Sequence, residues 1–131
     1  MNTIYISFAI FIVITAYNYM KPSVPRTYTG LKSKEAKEHM DQNKDVLVID
    51  VRTREEYQKG HIKGARNIPV DQLEKRKGSI PRDKDIILYC QTGGRSVRAI
   101  RTLELAGYTR LYNMDEGFRG WSRAGYPLRG R

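Results

Sequence analysis

The sequence predicts an α/β domain with a mainly parallel central sheet flanked by helices, preceded by one transmembrane helix. Two short runs, Val46–Asp50 and Asp85–Tyr89, are almost continuously apolar, a pattern typical of parallel strands that are buried on both faces. Segments with helical periodicity alternate with these strands, as right-handed crossovers between parallel strands require. The third observation is the apolar segment from Thr3 to Met20, which stands apart from the domain pattern.

The N-terminal segment 3–20, TIYISFAIFIVITAYNYM, contains one strongly polar residue, Asn18. As a helix it spans about 27 Å, which is just sufficient for the hydrocarbon core of a bilayer. A cleaved signal peptide is the competing interpretation, but no lysine or arginine precedes the run and no clear small-x-small cleavage site follows it. A buried core helix fits poorly because the run is apolar on all sides. We therefore expect an uncleaved membrane anchor over residues 1–20.

Positively charged residues flank this segment on its C-terminal side only. They are Lys21, Arg26, Lys32, Lys34 and Lys37. The positive-inside rule then places the C-terminal domain in the cytoplasm. A reducing cytoplasm also suits a chain with a single cysteine, which cannot form an internal disulfide.

Two regions follow the anchor. Residues 21–30 contain Pro22, Pro25 and Gly30 and are predicted to form a short, fairly stiff linker. Residues 31–128 are predicted to form one domain. Its expected elements are a helix from Ser33 to Gln42 capped by Ser33, the strand Val46–Asp50, a short helix between the cap Thr53 and Gly60, a helix Asp71–Lys77 anchored by Leu73, the strand Asp85–Tyr89, a helix Ser96–Ala106 with Val97, Ile100 and Leu103 at helical spacing, a strand Arg110–Met114 and a helix Gly117–Ala124.

The only cysteine, Cys90, follows a predicted buried strand and opens a six-residue loop that ends at Arg95. Such a loop points successive backbone N–H groups inward, and the following helix N-terminus adds partial positive charge. An anion at the centre is stabilised, so a cysteine sulfur there favours the reactive thiolate. Arg95 can either brace the rim or hold an anionic substrate with its fork of donors. A lone cysteine is otherwise a small buried hydrophobic residue.

Composition limits the remaining functions. The chain has 131 residues, enough for one ordinary domain, and a formal net charge of +10. Its basic residues are scattered and no nucleic-acid motif is present, so we expect no nucleic-acid partner. The two histidines, His39 and His61, form no recognisable ligand pattern with Cys90, so we expect neither a metal nor another cofactor.

Three spaced motifs resemble the rhodanese-like family over about residues 27–128. The N-terminal one comprises Asp50-Val51-Arg52, Glu56-Tyr57, Gly60-His61-Ile62, Gly64-Ala65 and Asn67-Ile68-Pro69; the central one is Cys90-x-x-Gly93-x-Arg95-Ser96; the C-terminal one comprises Gly117, Trp121, Gly125 and Pro127. The C-terminal signature usually has a glycine pair where this chain has Glu116-Gly117. That departure concerns a local turn and not the reaction.

The resemblance implies a sulfurtransferase whose loop cysteine takes a sulfane sulfur from thiosulfate or a low-molecular-weight persulfide. The sulfur is held as a Cys90 persulfide and passed to a thiol or protein acceptor. Thiolate and persulfide are both anions, so the loop stabilises both without a separate base. Cys90 and Arg95 are the expected catalytic residues, and the expected substrate-binding residues are Gln91, Thr92, Gly93, Gly94, Arg95 and Ser96. Asp50 and Arg52 are expected to be structural, as are Trp121 and His61, and Ser96 either caps the helix or hydrogen-bonds the sulfur.

Two other functions remain open. A phosphatase or arsenate reductase on the same fold resembles Cys-x5-Arg, one residue longer than the loop Cys90-x4-Arg95. The shorter loop should be too small to surround a tetrahedral phosphate. The other function is a non-enzymatic or sulfur-carrier module that binds a partner at the membrane. Rhodanese-like domains that have lost catalysis commonly replace the cysteine, whereas Cys90, Gly93 and Arg95 are all present here.

Overall fold

The computed structural model describes residues 2–20 and 27–130. Its helices are α1 Thr3–Met20, α2 Ser33–Gln42, α3 Arg54–Lys59, α4 Leu73–Arg76, α5 Gly94–Leu105 and α6 Gly117–Arg123. Its strands are β1 Thr29–Leu31, β2 Leu47–Asp50, β3 His61–Ile62, β4 Arg66–Asn67, β5 Ile86–Tyr89, β6 Leu111–Met114 and β7 Leu128–Arg129. Short 3-10 turns, Val70–Gln72 and Lys77–Ser79, flank α4.

Five strands form a parallel sheet in the order β1-β6-β5-β2-β4. The predicted α/β class with a mainly parallel central sheet is confirmed. A separate antiparallel pair joins β3 to β7, the last strand of the chain. Because all strands of the main sheet are parallel, their carboxyl ends lie at one edge, where loops can converge on a site.

The position of strand β5 in the sheet explains why apolar and polar residues do not alternate in its sequence. All four of its side chains are buried. Ile86 and Leu88 belong to one core cluster with Leu73 of α4 and residues of α5, and Ile87 and Tyr89 belong to the other, which includes residues of α2 and α6. Successive side chains of a strand point to opposite faces, so helices must cover both faces of this central strand.

Several predicted boundaries need correction. Thr29 and Gly30 were expected in the linker but form part of the edge strand β1, which pairs with β6. The rest of that expected linker, residues 21–26, lies outside the described residues. Lys32 rather than Ser33 is the cap residue of α2, because Ser33 already has helical geometry. Val97 is 39% exposed, and Ala99 instead faces the core with Ile100 and Leu103.

The N-terminal segment is helical from Thr3 to Met20, as predicted. None of its residues is buried, and its mean hydropathy is 1.6. Within the part of the chain that the structure describes, it is the one helix long and apolar enough to cross a membrane, a property that an N-terminal signal sequence shares.

Candidate active site

Cys90 lies directly after β5, at the carboxyl edge of the sheet, and is only 1% exposed. Gly93 has the left-handed φ of 107° and caps α5, which begins at Gly94. The sequence predicted that this helix starts two residues later, at Ser96. Gly93 must be glycine, since a Cβ there would lie 2.6 Å from the backbone oxygen of Asp115. The loop is therefore tighter than its sequence indicated.

The loop surrounds the cysteine sulfur with donors. The backbone N–H of Gly93 donates to Cys90 Sγ over 3.0 Å, and Ser96 Oγ lies 3.6 Å from the sulfur. Burial raises the pKa of the Cys90 thiol, but hydrogen bonds from Ser96, Gly93 and Thr92 outweigh burial and bring the pKa below its ordinary value. The arrangement therefore favours a thiolate without a neighbouring base.

Helix α6 binds the first two carbonyl groups of the loop. The backbone N–H groups of Phe118 and Arg119 donate to the carbonyl oxygens of Cys90 and Gln91, over 2.8 and 3.1 Å. These are N–H groups of the first helical turn, which have no partner within their own helix. Because the Gln91 carbonyl and the Thr92 N–H belong to one planar peptide unit, the contact with Arg119 also helps to orient the Thr92 N–H, which lowers the pKa of Cys90.

Gly117 makes this contact possible. Its φ is 60°, and a Cβ at this position would lie 2.6 Å from the carbonyl oxygens of both Cys90 and Gln91. The preceding Glu116, which stands where a glycine pair was expected, has an ordinary helical conformation with φ of −87°. Its carboxylate accepts the backbone N–H of Ser33 at the start of α2 over 3.1 Å. Only the second residue of the expected pair needs to be glycine here.

Arg95 forms a two-pronged ion pair with Glu56 of α3. Its Nη1 and Nη2 atoms lie 2.6 and 2.9 Å from the two carboxylate oxygens. The hydrogen bonds from Arg95 lower the pKa of Glu56 to about 2, so the pair is charged at neutral pH. Of the two expected roles for Arg95, the structure shows the brace. The Arg95 side chain remains 36% exposed, so it is accessible to solvent at the rim of the loop.

The other predicted binding residues form the loop wall. Gln91 is half-buried, and Thr92 and Gly94 are exposed at the mouth of the loop. Ser96 is fully buried, and its hydroxyl oxygen lies 2.9 Å from the carbonyl oxygen of Gly93 and 2.6 Å from Asn113 Oδ1. Loop residues 90–96 thus lie together around the Cys90 sulfur.

Asp50 and Arg52 form a buried ion pair beside the loop. Arg52 donates to both oxygens of Asp50 and, through Nη2, to the carbonyl of Gly60 over 2.6 Å. The hydroxyl of Tyr89 donates to Asp50 Oδ2 over 2.8 Å and accepts the backbone N–H of Ile62 over 3.1 Å. A buried charge pair with every partner satisfied fixes the start of the first motif relative to β5. This geometry is consistent with the predicted structural role.

Asn113 and Glu56 were not singled out from the sequence as site residues. Asn113 is 2% exposed and contacts Ser96 from β6. A buried asparagine in a short apolar strand was the signal available for it, because buried polar groups need partners. Glu56 lies in the first motif, three residues after the cap Thr53, and its distant partner Arg95 could not be read from that spacing. Within residues 2–20 and 27–130, no cluster of His, Cys, Asp or Glu is placed to bind a metal.

Comparison with known proteins shows which family this domain belongs to. The family model described as Rhodanese-like domain matches residues 32–124, which include every loop residue named above. The chain belongs to the rhodanese-like family. The match begins at the cap of α2 and ends just after α6, so the family region contains both sides of the cysteine loop.

Relatives cover most of the rhodanese-like chain. It is 41% identical over 116 residues to the protein YqhL of Bacillus subtilis, with 88% of each chain covered. It is 34% identical over 98 residues to a protein named Sulfurtransferase from Allochromatium vinosum, covering 75% of this chain and 92% of that one. The crystal structure of a rhodanese-related protein from Thermoplasma volcanium superposes with a TM-score of 0.72 at 28% identity, covering 79% of this chain and all of the other.

We expect Gly117→Ala to disturb the cysteine loop, with Gly125→Ala as a matched control. Both glycines have left-handed φ values, 60° and 75°, but the space around Gly125 is open. Both variants incur the left-handed strain, and Gly117→Ala loses at least about 1 kcal/mol more free energy of unfolding through its clash with the loop. Denaturant unfolding measures the difference. Equal losses would contradict the proposed dependence of the loop on α6.

Proposed function

We propose that this protein is a rhodanese-type sulfurtransferase that carries a sulfane sulfur on Cys90. The observation that carries the proposal is the hydrogen bond from Gly93 N–H to a buried cysteine sulfur whose pKa is lowered. A thiolate at this point is a nucleophile held at the centre of inward-facing donors. The proposed donor is thiosulfate or a low-molecular-weight persulfide, and the proposed acceptor is a thiol.

With thiosulfate, the reaction divides into two displacements at sulfur. The Cys90 thiolate attacks the outer sulfur of thiosulfate, a Cys90 sulfur–sulfur bond forms, and sulfite leaves with the electron pair of the broken bond. An acceptor thiolate then attacks the outer sulfur of the persulfide and Cys90 departs as a thiolate. No net oxidant or reductant is needed. The Gly93 N–H stabilises negative charge on Cys90 at the beginning and the end of this cycle.

The short loop favours sulfur over phosphate. Cys90 and Arg95 are separated by four residues, and Gly93 lies so close to Asp115 that even a Cβ would clash. An extended bowl that could surround a tetrahedral phosphate needs more backbone than this loop has. A single sulfur atom bound to Sγ requires less room, which supports sulfurtransferase activity over phosphatase or arsenate reductase activity.

We further propose that α1 anchors the protein in a membrane with the rhodanese-like domain in the cytoplasm. The helix has 18 residues and no buried side chain. The lysines and arginines of the neighbouring sequence follow it rather than precede it, which favours the cytoplasmic side for the domain. The anchor would keep the sulfur carrier close to a membrane acceptor or confine it there.

The first of three predictions from the proposed function concerns the nucleophile. Full-length protein treated with thiosulfate should gain the mass of one sulfur atom, and a reductant should remove it, because a persulfide is reducible. Cys90→Ser should fold normally and gain nothing, since it replaces only the nucleophile. Intact mass spectrometry measures both. Sulfur transfer by Cys90→Ser at the rate of the unaltered protein would contradict the mechanism.

Failure to load sulfur from thiosulfate, cysteine persulfide and glutathione persulfide would favour a partner-binding module instead. Loading with very slow transfer to small thiols would favour a sulfur carrier that serves one protein acceptor. Hydrolysis of a small aryl phosphate faster than sulfur transfer would favour the phosphatase alternative. The three results are distinguishable with the same purified protein.

The second prediction separates the two roles of Arg95. Arg95→Lys should raise the KM for thiosulfate, because lysine keeps the positive charge but lacks the paired N–H donors of the guanidinium. Glu56→Gln should lower that KM, because it leaves the charge of Arg95 free for the anionic donor. Each change should be about two- to fivefold, since a partly exposed pair contributes about 1 kcal/mol or less. Steady-state kinetics with thiosulfate measure both. An increase of KM in both variants would show that Arg95 acts only as the brace.

The third prediction concerns the anchor. The full chain should remain in the membrane fraction after a high-salt wash, because apolar insertion is insensitive to salt. Deletion of residues 1–20 should release the domain into the soluble fraction. Immunoblots of fractionated cells measure both. A full-length chain found only in the soluble fraction would contradict the anchor.

A further inference from the structure

A buried series of polar side chains connects the protein surface to Cys90. Asn113 Nδ2 donates to Asp115 Oδ1 over 2.8 Å, and Ser96 Oγ lies 2.6 Å from Asn113 Oδ1. Ser96 Oγ is also 3.6 Å from Cys90 Sγ. Ser96 and Asn113 are 0% and 2% exposed, whereas Asp115 is exposed. Hydrogen-bonding distances therefore extend from an exposed carboxylate to the sulfur without an intervening gap.

The Ser96 hydroxyl has one proton and several neighbours that accept it. The Asp115 carboxylate can only accept, so it fixes the Asn113 amide with Nδ2 outward and Oδ1 toward Ser96. The carbonyl oxygen of Gly93, 2.9 Å from Ser96 Oγ, is another acceptor. A Cys90 thiolate is a third. Asn113 and the sulfur therefore compete for the same serine proton.

We propose that Asn113 is a positioning residue that acts on Cys90 through the direction of the Ser96 proton. While Cys90 is a thiol, its S–H donates to Ser96 Oγ and the Ser96 proton is held by Asn113 Oδ1. When Cys90 becomes a thiolate, the hydroxyl turns and donates to the sulfur. Asn113 thus limits how far Ser96 stabilises the thiolate. The proposal rests on the proposed role of Cys90 as the sulfur-carrying nucleophile.

Other charged groups near the loop also affect the pKa of Cys90. Apart from Asp115, which one variant replaces, they are present in every variant described below. They are the Asp50–Arg52 pair at the end of β2, the Glu56–Arg95 pair between α3 and α5, and Asp115 after β6. Because these groups are the same in proteins with and without Ser96, a shift of the Cys90 pKa that occurs only when Ser96 is present reports on the Ser96 hydroxyl.

The test is the pH dependence of alkylation by iodoacetamide in the full-length protein, where Cys90 is the only thiol. Ser96→Ala should move the midpoint to higher pH, because the thiolate loses a donor. Asn113→Leu should move it to lower pH, because the competing acceptor is gone. Each shift should be about half a pH unit, the size of one hydrogen bond. In the Ser96→Ala background, Asn113→Leu should cause no shift.

A second variant avoids any change in the core. Asp115→Ala frees the Asn113 amide to turn its Nδ2 toward Ser96 Oγ, which releases the serine proton to the sulfur. It also removes a negative charge, and that part of the shift persists without Ser96. We therefore expect Asp115→Ala to lower the midpoint more in the unaltered protein than in Ser96→Ala. Equal shifts in the two backgrounds, for Asp115→Ala or for Asn113→Leu, overturn the proposal.

Alkylation does not require sulfur transfer, so this test is separate from that of the proposed function. Normal alkylation profiles in a protein that never loads sulfur would count against the sulfurtransferase and leave the Asn113 proposal standing. If the protein loads sulfur but the shifts are the same with and without Ser96, the sulfurtransferase proposal stands and the Asn113 proposal is overturned.

Discussion

The site depends on the contact between the N-terminus of α6 and the outward carbonyls of the cysteine loop. Phe118 and Arg119 N–H groups bind the carbonyl oxygens of Cys90 and Gln91. A peptide unit that turns its carbonyl outward turns its N–H in the opposite direction. The helix therefore sets the direction of the Gln91 and Thr92 N–H groups, of which Thr92 N–H lowers the pKa of Cys90, and Gly117 is the residue that permits the close approach.

Two ion pairs also hold the elements around the loop in place. The buried Asp50–Arg52 pair joins the end of β2 to Gly60 and, through Tyr89, to β5. The more exposed pair between Arg95 and Glu56 ties the first turn of α5 to α3. All charged groups of the buried pair have partners, so the pair fixes their positions, whereas the more exposed pair can rearrange at small free-energy cost.

Local patterns in the sequence were sufficient for most of the fold. The continuous apolar run of β5 identified a strand covered on both faces, and Thr53 and Gly60 marked the ends of α3 correctly. The edge strand β1 was missed because its three residues, Thr29–Leu31, carry no periodic signal and depend on pairing with β6. The start of α5 was placed late because the cap is Gly93, whose left-handed φ is not marked by a capping side chain in the sequence.

The sequence by itself determined the position of the proposed nucleophile, the order of the main elements and the family, because these follow from local periodicity and from motif residues close together in the chain. Only the tertiary structure decided the partners of the loop. Arg95 meets Glu56, 39 residues away, and Ser96 meets Asn113, 17 residues away. Such contacts depend on which strand lies beside which in the sheet. The physical reason is that a hydrogen bond requires its donor and acceptor to lie within about 3 Å of each other. For residues far apart in the chain, the order of the strands in the sheet decides whether they come that close.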